Sequence, residues 1–163
     1  MAKQKEVKTN AMRILDQKKI SYTTHEYPHT EGVCVLGSEV ARLLNQDPNI
    51  VFKTIVTTYN NKYYVCVIPV LKEIDLKKAA KAFNVKTLEM VHVKDLLGIT
   101  GYIRGGCSPI GMKKQFETIV DSSIIGSDRI IFSGGKIGLQ IEMNPNDLAK
   151  VIRVKFLSIT REE

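Results

Sequence analysis

A glycine-rich segment is the part of the sequence whose residue types point most directly to chemistry. Residues 101–114 read GYIRGGCSPIGMKK, with four glycines and one proline in the first eleven positions. Glycine permits positive φ and close approach of the backbone to a ligand, and proline fixes its own φ, so residues 105–111 are predicted to form a rigid loop. Bare amides framed by Arg104, Lys113 and Lys114 suit a phosphate, a carboxylate or a developing oxyanion. An ordinary surface turn would have the same composition.

A lysine on a predicted central strand is the second candidate. The clearest strand of the sequence places Phe52 and Val56 on one face, and apolar residues also occupy the opposite face. This pattern indicates a strand that is buried on both sides. Lys53 lies between Val51 and Ile55, where a buried charge needs a partner or a function. The alternative is a lysine whose stem is buried and whose ammonium group reaches the sheet edge.

Familiar catalytic motifs are missing or incomplete. The residues around Ser108, GCSPI, lack the final glycine of the G-x-S-x-G motif of serine hydrolases. Cys107 could act as a nucleophile only with a histidine close in space. His25 and His29 are four residues apart, but Pro28 between them argues against a shared helix face, so no metal site is predicted. Neither a Walker loop nor a G-x-G-x-x-G motif follows a strand, which disfavours nucleotide hydrolysis and dinucleotide binding, and no cofactor is predicted.

The overall composition is that of a globular protein with a basic surface. The chain has 163 residues and a formal net charge of +7, from 24 Lys and Arg against 17 Asp and Glu. This balance favours an anionic partner such as RNA, although a solvated lysine surface would give it too. No apolar run approaches the ~20 residues of a membrane span, and the N-terminus lacks the apolar core of a signal peptide, so we expect a cytoplasmic protein. Cys34, Cys66 and Cys107 are expected to be free thiols.

Hydrophobic periodicity predicts short helices scattered among strands. Helices are expected at residues 9–18, 38–44, 76–83, 93–97 and from 145 onward. Strands are expected at residues 20–27, 50–58, 62–70, 85–90, 118–121, 129–133, 137–143 and 153–157, with hairpin turns at Asn60-Asn61 and Gly134-Gly135. This pattern indicates one mixed α/β or α+β domain over residues 1–163, in which residues 1–8 form a loose polar lead-in.

The remaining candidates together describe a binding pocket with few acid–base groups. They are the strand lysine, the glycine-rich loop and the hairpin Ser133-Gly134-Gly135. In the strand after that hairpin, Leu139 and Ile141 face one way, whereas Gln140 and Glu142 face the other. From the residues alone, such a pocket could bind an anionic ligand or stabilise the oxyanion of an acyl transfer.

At these residues the chain resembles the YbaK family of bacterial aminoacyl-tRNA editing deacylases, which is similar to the editing insertion of bacterial prolyl-tRNA synthetases. The matching segments are VFKT (51–54), DLKKAAKA (75–82), TGY (100–102), GGCSPIGMKK (105–114), FSGGK (132–136) and GLQIE (138–142). They occur in order between about residue 9 and residue 156. No single segment is specific, but the ordered set is.

The resemblance implies a single α/β domain with a mixed, barrel-like sheet and short surrounding helices. It implies hydrolysis of the ester that joins a wrong amino acid to the 3′ end of tRNA, typically in Cys-tRNA(Pro). The catalytic positions implied are Lys53, Gly105 and Gly106. Substrate-binding positions are expected at Tyr27, Thr54, Ser108, Pro109, Ser133, Gly134 and Gln140. Some members carry aspartate where this chain has Gln140, so the contact to the substrate's amino group, and hence the amino-acid preference, is left open.

The resemblance also implies substrate-assisted catalysis, in which the thiol of the bound cysteine attacks its own ester and leaves as a cyclic thiolactone. Lys53 would then pair with the phosphate or ribose of the acceptor end, while the amides of residues 105–109 would hold the carbonyl. The alternatives are a deacylase of Ala- or Ser-tRNA that uses water, and a tRNA- or nucleotide-binding module without activity. The expected partners are the tRNA(Pro) acceptor end and prolyl-tRNA synthetase, with no membrane, for a monomer or weak dimer.

Overall fold

The structure, a computed structural model, describes residues 8–162 as short helices around strands. The α-helices are α1 (Asn10–Gln17), α2 (Gly37–Leu43), α3 (Leu76–Phe83) and α4 (Val93–Thr100). The strands are β1 (Tyr22–Glu26), β2 (Phe52–Tyr59), β3 (Lys62–Pro69), β4 (Glu89–Met90), β5 (Glu117–Asp121), β6 (Ile130–Ser133), β7 (Leu139–Met143) and β8 (Val154–Leu157). Except for Lys8, the predicted lead-in lies outside the described residues.

The main differences from the predicted elements lie at short segments. The strand expected at residues 85–90 is reduced to β4, which pairs only with Thr57 and Thr58 of β2. The last helix is a 3₁₀ helix, Pro145–Lys150, and a second 3₁₀ helix, Ser122–Ile124, was not predicted. Among the helices of residues 8–162, none combines the length and the apolar character that a membrane crossing requires.

The strands form two sheets, which confirms the mixed α/β class. One sheet is antiparallel, in the order β1-β7-β6, and the other has the order β4-β2-β3-β5-β8. In the larger sheet β2 and β3 are antiparallel, whereas β5 is parallel to both β3 and β8. A parallel bridge between Val51 and Ile131 joins the sheets. The predicted barrel-like sheet is therefore assembled from two sheets that meet near the start of β2.

The two predicted hairpin turns have different outcomes. Asn60 and Asn61 have φ values of 53° and 63°, so the β2–β3 hairpin has the tight turn in which both central residues adopt positive φ. The prediction of an equally tight turn at Gly134-Gly135 is wrong. β6 ends at Ser133 and β7 begins at Leu139, so the connection has five residues, and the Gly134 amide closes it by donating to the Leu139 carbonyl at 2.9 Å.

The core confirms the two-faced character of β2. Phe52 and Val56 join the main hydrophobic cluster, which also contains residues of α1, β3, β6 and β7. Val51 packs on the other side of the strand with Ala41 and Ile131. The strand is therefore held from both faces, and Lys53 lies on a well-supported backbone.

The connection from α4 to β5 contains the glycine-rich segment and is closed at its base. Gly101 ends α4 with φ 85°, a left-handed conformation that favours glycine. The Lys113 amide donates to the Thr100 carbonyl at 3.0 Å, and the Lys113 ammonium group donates to the Gly98 carbonyl at 3.3 Å. Residues 101–112, called the glycine loop below, therefore start and end at the same point beside the end of α4.

Candidate active site

A cavity of about 360 Å³ is bordered by β2, β6, β7, α4 and the glycine loop. A cavity of this volume can hold a small molecule or one group of a larger ligand. Six of the ten predicted site residues line it: Tyr27, Lys53, Thr54, Gly105, Ser133 and Gln140. The structure thus brings together residues that lie up to 113 positions apart, from Tyr27 to Gln140.

The other four predicted site residues, Gly106, Ser108, Pro109 and Gly134, are buried outside the lining. A Cβ on Gly106 would lie 2.9 Å from the Cα of Lys136, so Gly106 permits close packing of two backbones. A Cβ on Gly134 would lie 2.8 Å from the Cγ of Leu139. The side chain of Ser108 accepts a hydrogen bond from the Ile110 amide at 3.2 Å. These positions shape the cavity wall from behind.

Lys53 is the cation of the cavity lining on β2. Its side chain is half-buried, not fully buried as a strand enclosed on both faces would require. Burial lowers the pKa of Lys53 below its usual value, against the opposing effect of the Glu73 carboxylate. Within residues 8–162 its ammonium group has neither an ion pair nor a hydrogen bond. Lys53 is therefore a partly desolvated cation that makes no direct ion pair or hydrogen bond with the described residues.

The predicted binding position Thr54 lies beside an open edge of β2. Strand carbonyls alternate in direction, and that of Val51 accepts from Val70 on the β3 side, whereas that of Val56 accepts from Val91 on the other side. By this alternation, the amide and carbonyl of Thr54 face the side that β4 does not reach. The Thr54 hydroxyl is also buried without a hydrogen-bond partner among the described residues. Buried polar groups are nearly always paired, so Thr54 has unused capacity for a ligand.

The glycine loop supplies a second set of unused donors. Gly105 has φ 85° and packs so closely that a Cβ there would lie 2.9 Å from the Cys34 thiol. The Gly106 amide donates to the Ile103 carbonyl at 2.9 Å, which removes it from the predicted role in holding a substrate carbonyl. The amides of Gly105 and Cys107 have no acceptor within residues 8–162. These two residues also line the cavity.

Cys107 is unsuited to act as a nucleophile. Burial raises the pKa of its thiol to about 12, although a hydrogen bond with Thr100 opposes this effect. The thiolate is the reactive form, and it is scarce near neutral pH at such a pKa. None of the described histidines is positioned in the lining as a base: His25 contacts Glu142 at 2.9 Å, and His29 contacts the Tyr27 carbonyl at 3.2 Å.

Gln140 is held by an amide partner that sequence reasoning missed. The Gln46 Nε2 donates to the Gln140 Oε1 at 2.7 Å, and the Gln140 Nε2 donates back to the Gln46 Oε1 at 3.3 Å. Gln140 is only 4% exposed. Gln46 belongs to the turn before β2, 94 positions away, so no local sequence signal could have linked the two. The cavity therefore has a neutral, fixed amide at the position where an aspartate was the alternative.

An exposed apolar rim is the other feature that was not predicted. Leu36, Met90 and Val93 line the cavity and remain 64%, 54% and 58% exposed. Single exposed apolar residues are ordinary, whereas these three form an apolar rim around one cavity. Arg104 also borders the cavity. Within residues 8–162, no three His, Cys, Asp or Glu side chains converge in a way that would hold a metal ion.

Comparison with known proteins gives concordant results. Residues 34–151 match the family model of the aminoacyl-tRNA editing domain. A protein of Enterococcus faecalis, named as the Cys-tRNA(Pro)/Cys-tRNA(Cys) deacylase EbsC, is 46% identical over 165 residues that cover all of both chains.

Solved structures agree at the level of the fold. The crystal structure described as a trans-editing enzyme for prolyl-tRNA synthetase superposes with a TM-score of 0.80 at 17% identity, over 97% of this chain and 100% of that one. A scaffold protein from a study of epitope grafting gives 0.82 at 17% identity, over 96% of this chain and 100% of that one. The resemblance noted in the motifs is therefore confirmed by the family model and by the full-length relative, and the chain belongs to the aminoacyl-tRNA editing domain family.

Proposed function

We propose that this chain is a trans-editing deacylase, one editing domain over its whole length, that cleaves the aminoacyl ester of mischarged tRNA with Cys-tRNA(Pro) as its main substrate. The observation that carries the proposal is the cavity, whose lining combines an unpaired lysine, unused loop amides and a free strand edge. Family membership and the full-length relative named for this activity support it. Prolyl-tRNA synthetase, which makes this error, is the proposed partner of a cytoplasmic monomer or weak dimer.

The lining suggests a division of labour between three sets of groups. Lys53 neutralises the terminal ribose-phosphate of the tRNA, because a partly desolvated cation that makes no direct ion pair attracts an anion strongly. The free amides of Gly105 and Cys107 hold the carbonyl oxygen as charge develops on it. Thr54 presents a carbonyl and a hydroxyl to the amino group of the aminoacyl moiety. Tyr27 and Ser133 complete the wall around it.

The proposed reaction uses the substrate's own thiol, because the buried Cys107 thiol is unsuited to act as a nucleophile. The sulfur of the bound cysteine attacks its own ester carbonyl, the bond from that carbonyl to the ribose 3′-oxygen breaks, and the thiol proton passes to the departing oxygen. The products are a cyclic thiolactone and tRNA with a free 3′-hydroxyl. Correct orientation of such an internal attack can replace about 7–11 kcal/mol of the barrier, so the cavity acts mainly by positioning.

The affinity for the amino group of the substrate depends on the Gln46–Gln140 pair. A neutral amide holds an ammonium group less strongly than a carboxylate does. Each amide already shares its hydrogen bonds with the other, which further limits what Gln140 offers to a ligand. We therefore expect weaker binding of every aminoacyl ester than an aspartate would give, while the requirement for a thiol is unchanged.

Single-turnover deacylation of Cys-, Ser- and Ala-tRNA(Pro) tests the proposal. Cys-tRNA should react fastest, Ser-tRNA far more slowly because a hydroxyl has a much higher pKa than a thiol, and Ala-tRNA not measurably above the uncatalysed rate. Ala-tRNA fits wherever Cys-tRNA does, so it separates mechanism from size. Equal rates for Ala- and Cys-tRNA would replace thiol attack by a water mechanism. No acceleration for any of them would leave a binding module.

A further inference from the structure

We infer that a second, basic groove beside α4 binds the ribose-phosphate backbone of the RNA strand whose 3′ end enters the cavity. This inference rests on the proposed function for the identity of the RNA. The groove, with a volume of about 570 Å³, lies at the base of the glycine loop. It is lined by Asn61, Lys62, Tyr63, Tyr64, Gly98, Ile99, Lys113, Lys114, Gln115, Phe116 and Glu117, and shares none of these residues with the cavity.

The charge of the groove suits a polyanion. Lys62, Lys113 and Lys114 border it and are exposed. Within residues 8–162, the ammonium groups of Lys62 and Lys114 have no ion pair. Glu117 is the carboxylate in the lining, and the guanidinium group of Arg153 lies 3.7 Å from it. Unpaired lysines around a groove whose carboxylate is already compensated are typical of phosphate contacts.

The floor of the groove suits nucleotides rather than a simple anion. Tyr63 and Phe116 pack edge to face with ring centroids 5.6 Å apart, and both rings remain partly exposed. The Tyr63 hydroxyl makes no hydrogen bond among the described residues, and the amide side chains of Asn61 and Gln115 are exposed nearby. Aromatic rings interleaved with lysines form the platform on which single-stranded RNA is held without sequence readout.

The position of the groove connects it to the cavity. α4 has eight residues and is therefore about 12 Å long. Val93 and Leu96 of this helix line the cavity, whereas Gly98 and Ile99 at its other end line the groove. Lys113 fixes the two together through its bonds to Thr100 and Gly98. A strand in the groove thus lies within a few nucleotides of a 3′ end in the cavity.

The test replaces Lys62 and Lys114 by glutamine and leaves Lys113, which supports the glycine loop. Binding of uncharged tRNA is measured against salt. The double variant K62Q/K114Q should raise the Kd several-fold and reduce the slope of log affinity against log salt by about 0.7 for each lost contact. The control K77Q/K81Q removes two exposed lysines of α3, near neither cavity nor groove, and should leave the slope closer to wild type.

Deacylation kinetics separate this inference from the proposed function. With Cys-tRNA, K62Q/K114Q should raise KM with little change in kcat, and the defect should be smallest for a cysteinyl ester of adenosine, which is too short to reach the groove.

A salt slope equal to that of K77Q/K81Q would overturn the inference even if the wild type deacylates tRNA. Loss of polyglutamate binding with unchanged RNA binding would also overturn it, in favour of an acidic protein partner. If the wild type deacylates nothing, a reduced salt slope would still support the groove.

Discussion

At the scale of single residues, Lys53 is expected to lower the stability of the folded protein and to be required for deacylation. Its ammonium group is partly desolvated and unpaired, so burial disfavours the charged form in the folded protein. Lys53→Met keeps the stem and removes the charge. We expect deacylation to fall by about 10²-fold or more, because losing one partner of a charge contact costs about 2–5 kcal/mol, while the free energy of unfolding stays the same or rises. Single-turnover rates and urea unfolding measure the two effects.

The pH profile gives an independent check on the same residue. The pKa of Lys53 is lowered from 10.5, so Lys53 loses its charge at a lower pH than an exposed lysine does. As pH rises, the wild-type deacylation rate should therefore begin to fall earlier than it would with an exposed lysine at this position. Lys155→Met, on the exposed strand β8, serves as the control and should keep both the rate and the profile. Near-normal turnover of Lys53→Met would remove Lys53 from the site.

At the scale of elements, the glycine loop depends on one close approach. Gly105→Ala would combine strain at φ 85° with a Cβ placed 2.9 Å from the Cys34 thiol and 3.2 Å from the Cys34 Cα. The loop must then move, and its free amides move with it. We expect deacylation to fall at least tenfold, beyond the loss of stability of about 1–2 kcal/mol that left-handed strain itself produces.

A matched control separates the contact from the strain. Gly32 has φ 75°, and a Cβ there would meet nothing within 4 Å. Gly32→Ala should therefore lose similar stability through the backbone but retain activity. Equal rates for the two variants, compared at equal folded fraction, would mean that the position of the Gly105 backbone is unimportant for catalysis.

Local pattern was sufficient to predict most of the elements but not the places where they meet. Alternation along β2 correctly separated Phe52 and Val56 from Val51, because burial of a strand face has a period of two. The length of the Ser133–Leu139 connection was misjudged, since a glycine pair fits both a tight turn and part of a longer one. The length of such a connection is set by where the two strands meet in space, not by local composition.

The candidate site shows the same limit. Lys53 and Thr54 were found because a motif and a strand pattern coincide there, and both line the cavity. The open edge beside Thr54 could not be predicted, since it results from the shortness of β4. The hydrogen bond from the Gly106 amide to the Ile103 carbonyl could not be predicted either, because it depends on the geometry of one turn in the loop.

At the scale of the whole molecule, one carboxylate in the three-stranded sheet makes the stability of the protein depend on pH in the acid range. Glu142 on β7 accepts hydrogen bonds from His25 on β1 at 2.9 Å and from Arg129, next to β6, at 2.8 Å. Burial opposes its ionisation, but these two bonds outweigh burial, so the pKa of Glu142 lies below 4.5. Its stabilising effect is present above the unfolded pKa and is lost as pH falls through the lower folded value.

Glu142→Gln should therefore weaken the protein at neutral pH by about 1–2 kcal/mol and flatten the fall in stability below pH ~4.5. Unfolding by urea at a series of pH values measures both effects. Glu117→Gln is the control, since its 3.7 Å contact with Arg153 is exposed and worth little. Parallel curves for wild type and Glu142→Gln below pH ~4.5 would contradict this account.

The free edge of β2 also bears on self-association. Unpaired strand edges are surfaces on which other chains add strands, which leads to aggregation and domain exchange. Here the open stretch next to Thr54 lies in a cavity that is also bordered by Leu36, Val93 and Gly105. A strand from another chain must pair with several consecutive residues of β2, whereas an aminoacyl group needs space beside a single residue. The recess therefore keeps these peptide groups available to a small ligand and closed to a second polypeptide.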